Sequence, residues 1–137
     1  MKYPWWKPEH MSKNFINSLS VVVKNKKMTM GPETQKVENY LKKILKVKHV
    51  ILTTSGTSAL MMATMAAEIK SEDTVISPNF TWVATTNPAK IMGANVKLVD
   101  NEPYSEKVSF KMLNEKIIKY KPKLVFLVHL NGQPTYN

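Results

Sequence analysis

The 137-residue chain contains no cysteine and no arginine: all 20 of its basic residues are lysine. Without cysteine there is no disulfide framework and no thiolate metal site. Without arginine, the bidentate contacts favoured for reading bases and gripping phosphates are not available. Companion patterns around His10 and His49 are missing too, so no metal site is expected. No apolar run is long enough to span a bilayer. No signal peptide opens the chain, because Lys2 is followed by Trp5, Trp6 and Pro8 rather than by an apolar segment. These absences fit a cytoplasmic protein with no membrane partner. Also missing are the G-x-x-x-x-G-K-[ST] phosphate loop, the G-x-G-x-x-G dinucleotide fingerprint, and any Ser/His/Asp or Cys/His arrangement.

What is present is a globular composition, 43% hydrophobic, with a formal net charge of +10. Such a charge invites a nucleic-acid reading. The lysines are spread along the chain rather than held in one stripe, so they read as a solvated surface, and no nucleic-acid partner is expected. Strongly salt-dependent DNA binding would reverse that expectation.

Residues 1–8 read as an irregular arm. A first helix is expected over about 9–24, with Met11, Phe15, Leu19 and Val22 or Val23 facing inward. Gly31-Pro32 opens a second helix, since proline is tolerated at a first helical position. Val37, Tyr40, Leu41, Ile44 and Leu45 follow its i, i+3, i+4, i+7, i+8 stripe. From Val50 the pattern alternates. Strands are expected at Val50–Thr53, Thr74–Ser77, Asn95–Val99 and Leu124–Val128, with helices at about 57–69, 81–92 and 109–120. Pro88 falls inside the second of these helices, which must kink or start late. Apolar strands separated by helices imply an α/β fold, a mostly parallel sheet covered by helices on both faces. The chain ends in a polar loop after a strand, where a further helix is expected. It therefore reads as the N-terminal part of a longer protein, or as an unusually short one.

In open α/β sheets, ligands bind beyond the carboxyl ends of the strands. The first such end is Thr54-Ser55-Gly56-Thr57-Ser58, leading straight into an apolar helix. Free backbone N–H groups, hydroxyls and the helix dipole make it suited to an anion such as a phosphate. A plain helix cap by Ser or Thr is the common alternative. The second end, Ser77-Pro78-Asn79-Phe80-Thr81-Trp82, brings a large aromatic to the same rim. Trp82 suits stacking on a planar phosphorylated cofactor, with burial in the core as an even alternative. The third is His129 with Asn131-Gly132-Gln133. A histidine there could move protons near pH 7, but a histidine hydrogen-bonded in a loop is the more ordinary reading. Asp100 closes a strand and reads as a turn cap.

Taken together, five motifs resemble the DegT/DnrJ/EryC1/StrS family. They are Gly31-Pro32, Ser55-Gly56-Thr57-Ser58-Ala59-Leu60, Ser77–Thr85, Gly93–Asp100 and Val128–Pro134, in that order. The family comprises pyridoxal 5'-phosphate sugar aminotransferases of fold type I, the aspartate aminotransferase-like fold. The resemblance implies that Gly56, Thr57 and Ser58 bind the cofactor phosphate, largely through backbone N–H groups, and that Trp82 stacks on the pyridine ring. It places Thr29, Met30 and Gly31 near the substrate, a weaker transfer. It divides the chain into an N-terminal arm and helix, 1–30, and part of the cofactor-binding large domain, 31–137. It implies an amino-acid donor, glutamate by expectation, a nucleotide-linked keto sugar as acceptor, and a homodimer. The aspartate that pairs with the pyridine nitrogen and the lysine that carries the cofactor lie downstream of His129–Pro134. No catalytic residue is therefore expected within these 137 residues, which alone are expected to be inactive. Two alternatives stand beside this reading. One is a dehydratase of deoxysugars in the same family, with histidine in place of the lysine. The other is a truncated, non-catalytic binding module.

Overall fold

The computed structural model describes residues 13–134, so the arm at 1–8 and Met11 lie outside the described residues. The chain forms two compact units, residues 1–52 and 53–137.

The first unit holds two helices, α1 (Lys13–Lys24) and α2 (Pro32–Leu45). Glu33 in the first turn of α2 and Lys42 and Lys43 in the last complement the helix dipole. Pro32 starts α2 as expected, with Gly31 at its N-cap in extended conformation. The apolar stripes do not build a core. Phe15, Leu19 and Val23 of α1 and Val37, Tyr40, Ile44 and Leu45 of α2 are all exposed, and neither helix contains a buried residue. The periodicity is helical, but nothing among the described residues supplies the surface those stripes would pack on.

The expected strand at Val50–Thr53 does not form. A strand needs a neighbour to take its N–H and C=O groups, and no described strand pairs with this run. The Leu52 N–H goes instead to the Glu38 carboxylate at 3.1 Å, and the Thr53 hydroxyl donates to the Ser55 carbonyl at 2.9 Å. Ile51 is left 66% exposed. The sheet therefore has three described strands rather than the expected four.

The second unit begins with α3 (Gly56–Ala66), followed by β1 (Thr74–Pro78), a short 3-10 turn at Val83–Thr85, and α4 (Asn87–Ile91). It continues with β2 (Asn95–Val99), α5 (Phe110–Tyr120), β3 (Leu124–Val125) and a second 3-10 turn at Leu130–Gly132. The strand order is β2-β1-β3 and both pairings are parallel. Val75 lies opposite Val96 on one side and Leu124 on the other; Ile76 lies opposite Lys97 and Val125. Because side chains alternate along a strand, these neighbours feed different cores. Val75 packs with Ile69, Ala89 and Ala94 on one face. Ile76 packs with Val99, Val108 and Leu113 on the other. Helices thus cover both faces, as the α/β pattern requires.

Two elements are shorter than expected. The helix expected over 81–92 is split, because Pro88 cannot donate within a helix and sits in the first turn of α4 instead. The strand expected over Leu124–Val128 pairs only at Leu124 and Val125, although the Phe126 N–H still reaches the Ile76 carbonyl at 2.8 Å. Beyond that point Leu127 is exposed and no described strand flanks the free side of β3.

Candidate functional site

The carboxyl end of the sheet is edged by loops rich in short polar side chains. At β1 the chain leaves through Asn79, whose N–H donates to the Val99 carbonyl at 2.7 Å and whose side-chain amide donates to Asp100 at 3.0 Å. Asp100 is therefore a strap between the ends of β1 and β2, rather than the cap of its own turn. This pairing joins residues 21 apart, and no local sequence signal could have shown it. Asn131 similarly donates to the Glu106 carboxylate at 2.7 Å, joining the loop after β3 to the one after β2. His129 is exposed and precedes the second 3-10 turn, where its carbonyl accepts from the Gly132 N–H at 3.1 Å.

The start of α3 is built almost wholly from hydroxyls. Ser55 is the N-cap, extended at φ −160° and ψ 160°, and its hydroxyl accepts from the Ser58 N–H at 3.1 Å. The Ser55 and Ser58 hydroxyls also bond each other at 3.0 Å, and the Thr54 hydroxyl approaches Ser58 at 3.4 Å. The Ala59 N–H closes the turn onto the Ser55 carbonyl at 3.0 Å. The generic capping expectation thus lands on Ser55. The N–H groups of Gly56 and Thr57 and the Thr57 hydroxyl have no hydrogen-bond partner among the described residues. Gly56 faces open space: a methyl group added there would meet no heavy atom within 4 Å. Unpaired donors at a helix N-terminus fit a phosphate group.

Trp82 is 76% exposed, so it is not a core residue. It directly precedes the 3-10 turn, which packs against α3 in the same unit. The Thr81 and Thr85 hydroxyls, 3.0 Å apart, pin this turn while leaving the indole outside. An exposed tryptophan can stack on a flat ligand. Phe80 is also exposed.

Thr29, Met30 and Gly31 lie in the other unit. There, with Lys27, Pro32 and Gln35, they edge a polar depression of about 350 Å³. Met30 has a left-handed backbone, φ 47°, and is 91% exposed. Gly31 is held by space rather than by dihedral angle: an added Cβ would lie 2.7 Å from the Lys27 carbonyl oxygen. Among the described residues no group of three or more His, Cys, Asp or Glu side chains could hold a metal ion, and no helix is long and apolar enough to cross a membrane.

Residues 9–136 match the model of the DegT/DnrJ/EryC1/StrS aminotransferase family. The chain is 32% identical over 112 residues to a UDP-2-acetamido-2-deoxy-3-oxo-D-glucuronate aminotransferase of Pseudomonas aeruginosa, covering 82% of this chain and 31% of that protein. The chain thus spans about a third of the length of the relatives it matches. Among solved structures, a DegT DnrJ EryC1 StrS aminotransferase from Brucella abortus superposes with a TM-score of 0.77 at 29% identity, over 88% of this chain and 34% of that one. NtdA from Bacillus subtilis, solved with bound cofactor PMP, superposes with a TM-score of 0.73 at 31% identity, over 84% of this chain and 26% of that one.

Proposed function

We propose, from the premise that the chain belongs to the DegT/DnrJ/EryC1/StrS aminotransferase family, that the whole protein is a pyridoxal-phosphate sugar aminotransferase. It takes an amino group from an amino acid, glutamate in our reading, and places it on a keto sugar carried by a nucleotide. The observation that carries the reading is the start of α3, where the Gly56 and Thr57 N–H groups have no partner among the described residues and Gly56 has open space around it; the exposed Trp82 supports it. The curated relative named for an oxo-sugar nucleotide supports the substrate class.

Each part of this chain has a definite task in that reading. The Gly56 and Thr57 N–H groups and the Thr57 hydroxyl bind the phosphate, and the positive end of α3 favours its charge. Trp82 covers one face of the ring and keeps water from it. Asp100 and Asn79 tie β1 to β2 and so hold the rim that carries Trp82. When bound, pyridoxal phosphate supplies the electron sink and the temporary carrier of the amino group. In this reading residues 31–137 contribute to the domain that holds it. In this reading Thr29 and Gly31 contact the sugar. The working form is a homodimer in the cytoplasm.

The test is made on the full-length protein. It should purify with, or take up, pyridoxal phosphate, giving a visible absorption band that borohydride abolishes. With glutamate and a nucleotide-linked keto sugar it should yield an amino sugar by mass spectrometry. No band and no borohydride response would overturn the reading. A product that has lost water and gained no nitrogen would assign the same site to deoxysugar dehydration.

A further inference from the structure

Strand β2 lies outermost in the order β2-β1-β3, and no described strand flanks its other side. The Asn95 N–H donates to the Asp73 carbonyl at 2.9 Å, and the Val99 carbonyl accepts from the Asn79 N–H at 2.7 Å. In a parallel ladder alternate residues bond the same neighbour, so Asn95, Lys97 and Val99 serve β1. Val96 and Leu98 therefore turn their N–H and C=O groups outward, where a further strand would add. Leu98 is 43% exposed, which makes this edge attractive to another apolar strand. One of the outward groups is already taken: the Lys116 ammonium, reaching over from α5, donates to the Leu98 carbonyl. Two more cations stand beside the same strand. The Lys97 and Lys119 ammonium groups each lie 5.1 Å from the centre of the Tyr120 ring. None of these three lysines has a carboxylate partner among the described residues.

We propose that Lys116 locks this edge, and that with Lys97 and Lys119 it keeps β2 from pairing with β2 of a second copy of this chain. Symmetry makes that copy the partner most strongly excluded. Two identical edges meet about a two-fold axis, so they pair antiparallel and the same patch faces itself. Such a contact brings Lys97, Lys116 and Lys119 against the same three lysines, and like charges so placed oppose association. Lys116 adds an obstacle that does not depend on long-range charge. Its ammonium occupies the acceptor that an incoming strand's N–H needs, so pairing must first break a charge-assisted bond. The face of the Tyr120 ring attracts the other two ammonium groups and so holds them near the strand against their mutual repulsion. Lysine on an exposed edge is a general device against strand addition. Here the device is supplied largely from the neighbouring helix, through a bond between residues 18 apart in the chain.

The full-length protein is followed by sedimentation over a range of concentrations and by amide hydrogen exchange read residue by residue. In the wild type the outward Val96 and Leu98 N–H groups should exchange at least about a hundredfold faster than those of Lys97 and Val99, which bond β1. Lys116→Met keeps the length of the stem and removes the donor. It should add, as concentration rises, a species of about twice the wild-type mass, and exchange at Val96 and Leu98 should slow about tenfold in that species. Lys116→Arg, which keeps a charged donor, should sediment as the wild type does. If Lys116→Met does not fold, Lys116→Gln, too short to reach as lysine does, is read in the same way. Wild-type protection of Val96 and Leu98 equal to that of Lys97 and Val99 overturns the proposal, because the edge is then already paired. Sedimentation of Lys116→Met identical to wild type at every concentration overturns it as well. So does association of Lys116→Met with exchange at Val96 and Leu98 unchanged, which places the contact on another surface. Association of Lys116→Arg to the same extent as Lys116→Met overturns the role of the donor.

Discussion

Gly56 and Gly31 look alike in the sequence, each just before or at the start of a helix, but they are glycine for different reasons. Gly56 faces open space, and its backbone has no positive φ. Gly56→Ala should therefore fold normally and gain about 0.5 kcal/mol in urea denaturation, because alanine has less freedom to lose on folding. The same methyl group enters the volume assigned to the phosphate, so pyridoxal-phosphate affinity should fall. Gly31→Ala should behave in the opposite way. Its Cβ would sit 2.7 Å from a backbone oxygen, which cannot swing aside as a side chain can. A loss of about 1–3 kcal/mol is expected, in the range found for overpacking. Unaltered urea midpoints in Gly31→Ala would show that the α1–α2 connection yields freely.

At the scale of elements, the scarcity of glycine has a visible cost. There are only four glycines in the chain, and neither α2 nor α5 ends on one. Both end on lysine in the left-handed region, Lys46 at φ 53° and Lys121 at φ 45°. Each still donates its N–H back into the last turn, to the carbonyls of Lys42 and Ile117 respectively. A side chain with a Cβ pays about 1 kcal/mol to adopt that conformation. Lys46→Gly and Lys121→Gly should each raise stability by roughly that amount, measured by thermal unfolding, with no change in fold. The N-terminal ends of α3 and α5 need no such help, since Ser55 and Ser109 supply side-chain caps. Helix and strand identities were well legible from residue spacing. Asn95–Val99 is a strand at its expected bounds, and α5 starts one residue inside them with Ser109 as its cap. Periodicity is a local property and survives into the fold. Strand pairing is not local, which is why Val50–Thr53 read as a strand and does not form one.

For the sheet unit as a whole, the amino ends of β1 and β3 are clamped by charge. The Lys123 ammonium donates to the Glu68 carbonyl at 2.6 Å and to the Asp73 carboxylate at 3.1 Å. Asp73 also accepts the Lys70 N–H at 2.8 Å. The Lys70 N–H first, and Lys123 second, hold the Asp73 carboxyl below its usual range, against a smaller opposing effect of desolvation. A carboxyl depressed in the folded state stabilises the fold above its unfolded pKa. That contribution is lost as pH falls from the ordinary carboxylate value through the lower folded one. Urea midpoints should accordingly decline across that acid window. Asp73→Asn, which keeps a hydrogen-bonding oxygen but cannot titrate, should flatten the decline while lowering the midpoint at neutral pH. An unchanged acid limb in Asp73→Asn would place the titration elsewhere.

The sequence by itself determined the helix and strand periods, the α/β class, and the family through five ordered motifs. It also determined the donor-rich turn at Ser55–Ser58, because capping chemistry and glycine placement act over three or four residues. Only the tertiary structure decided which of those donors are spent and which are free. It decided that Trp82 lies outside the core, that Asp100 serves as a strap to Asn79, and that the apolar faces of α1 and α2 stay uncovered among the described residues. Those outcomes depend on which distant atoms arrive beside a group. Sequence spacing sets what a side chain is able to do, whereas burial and partners are properties of the packed chain.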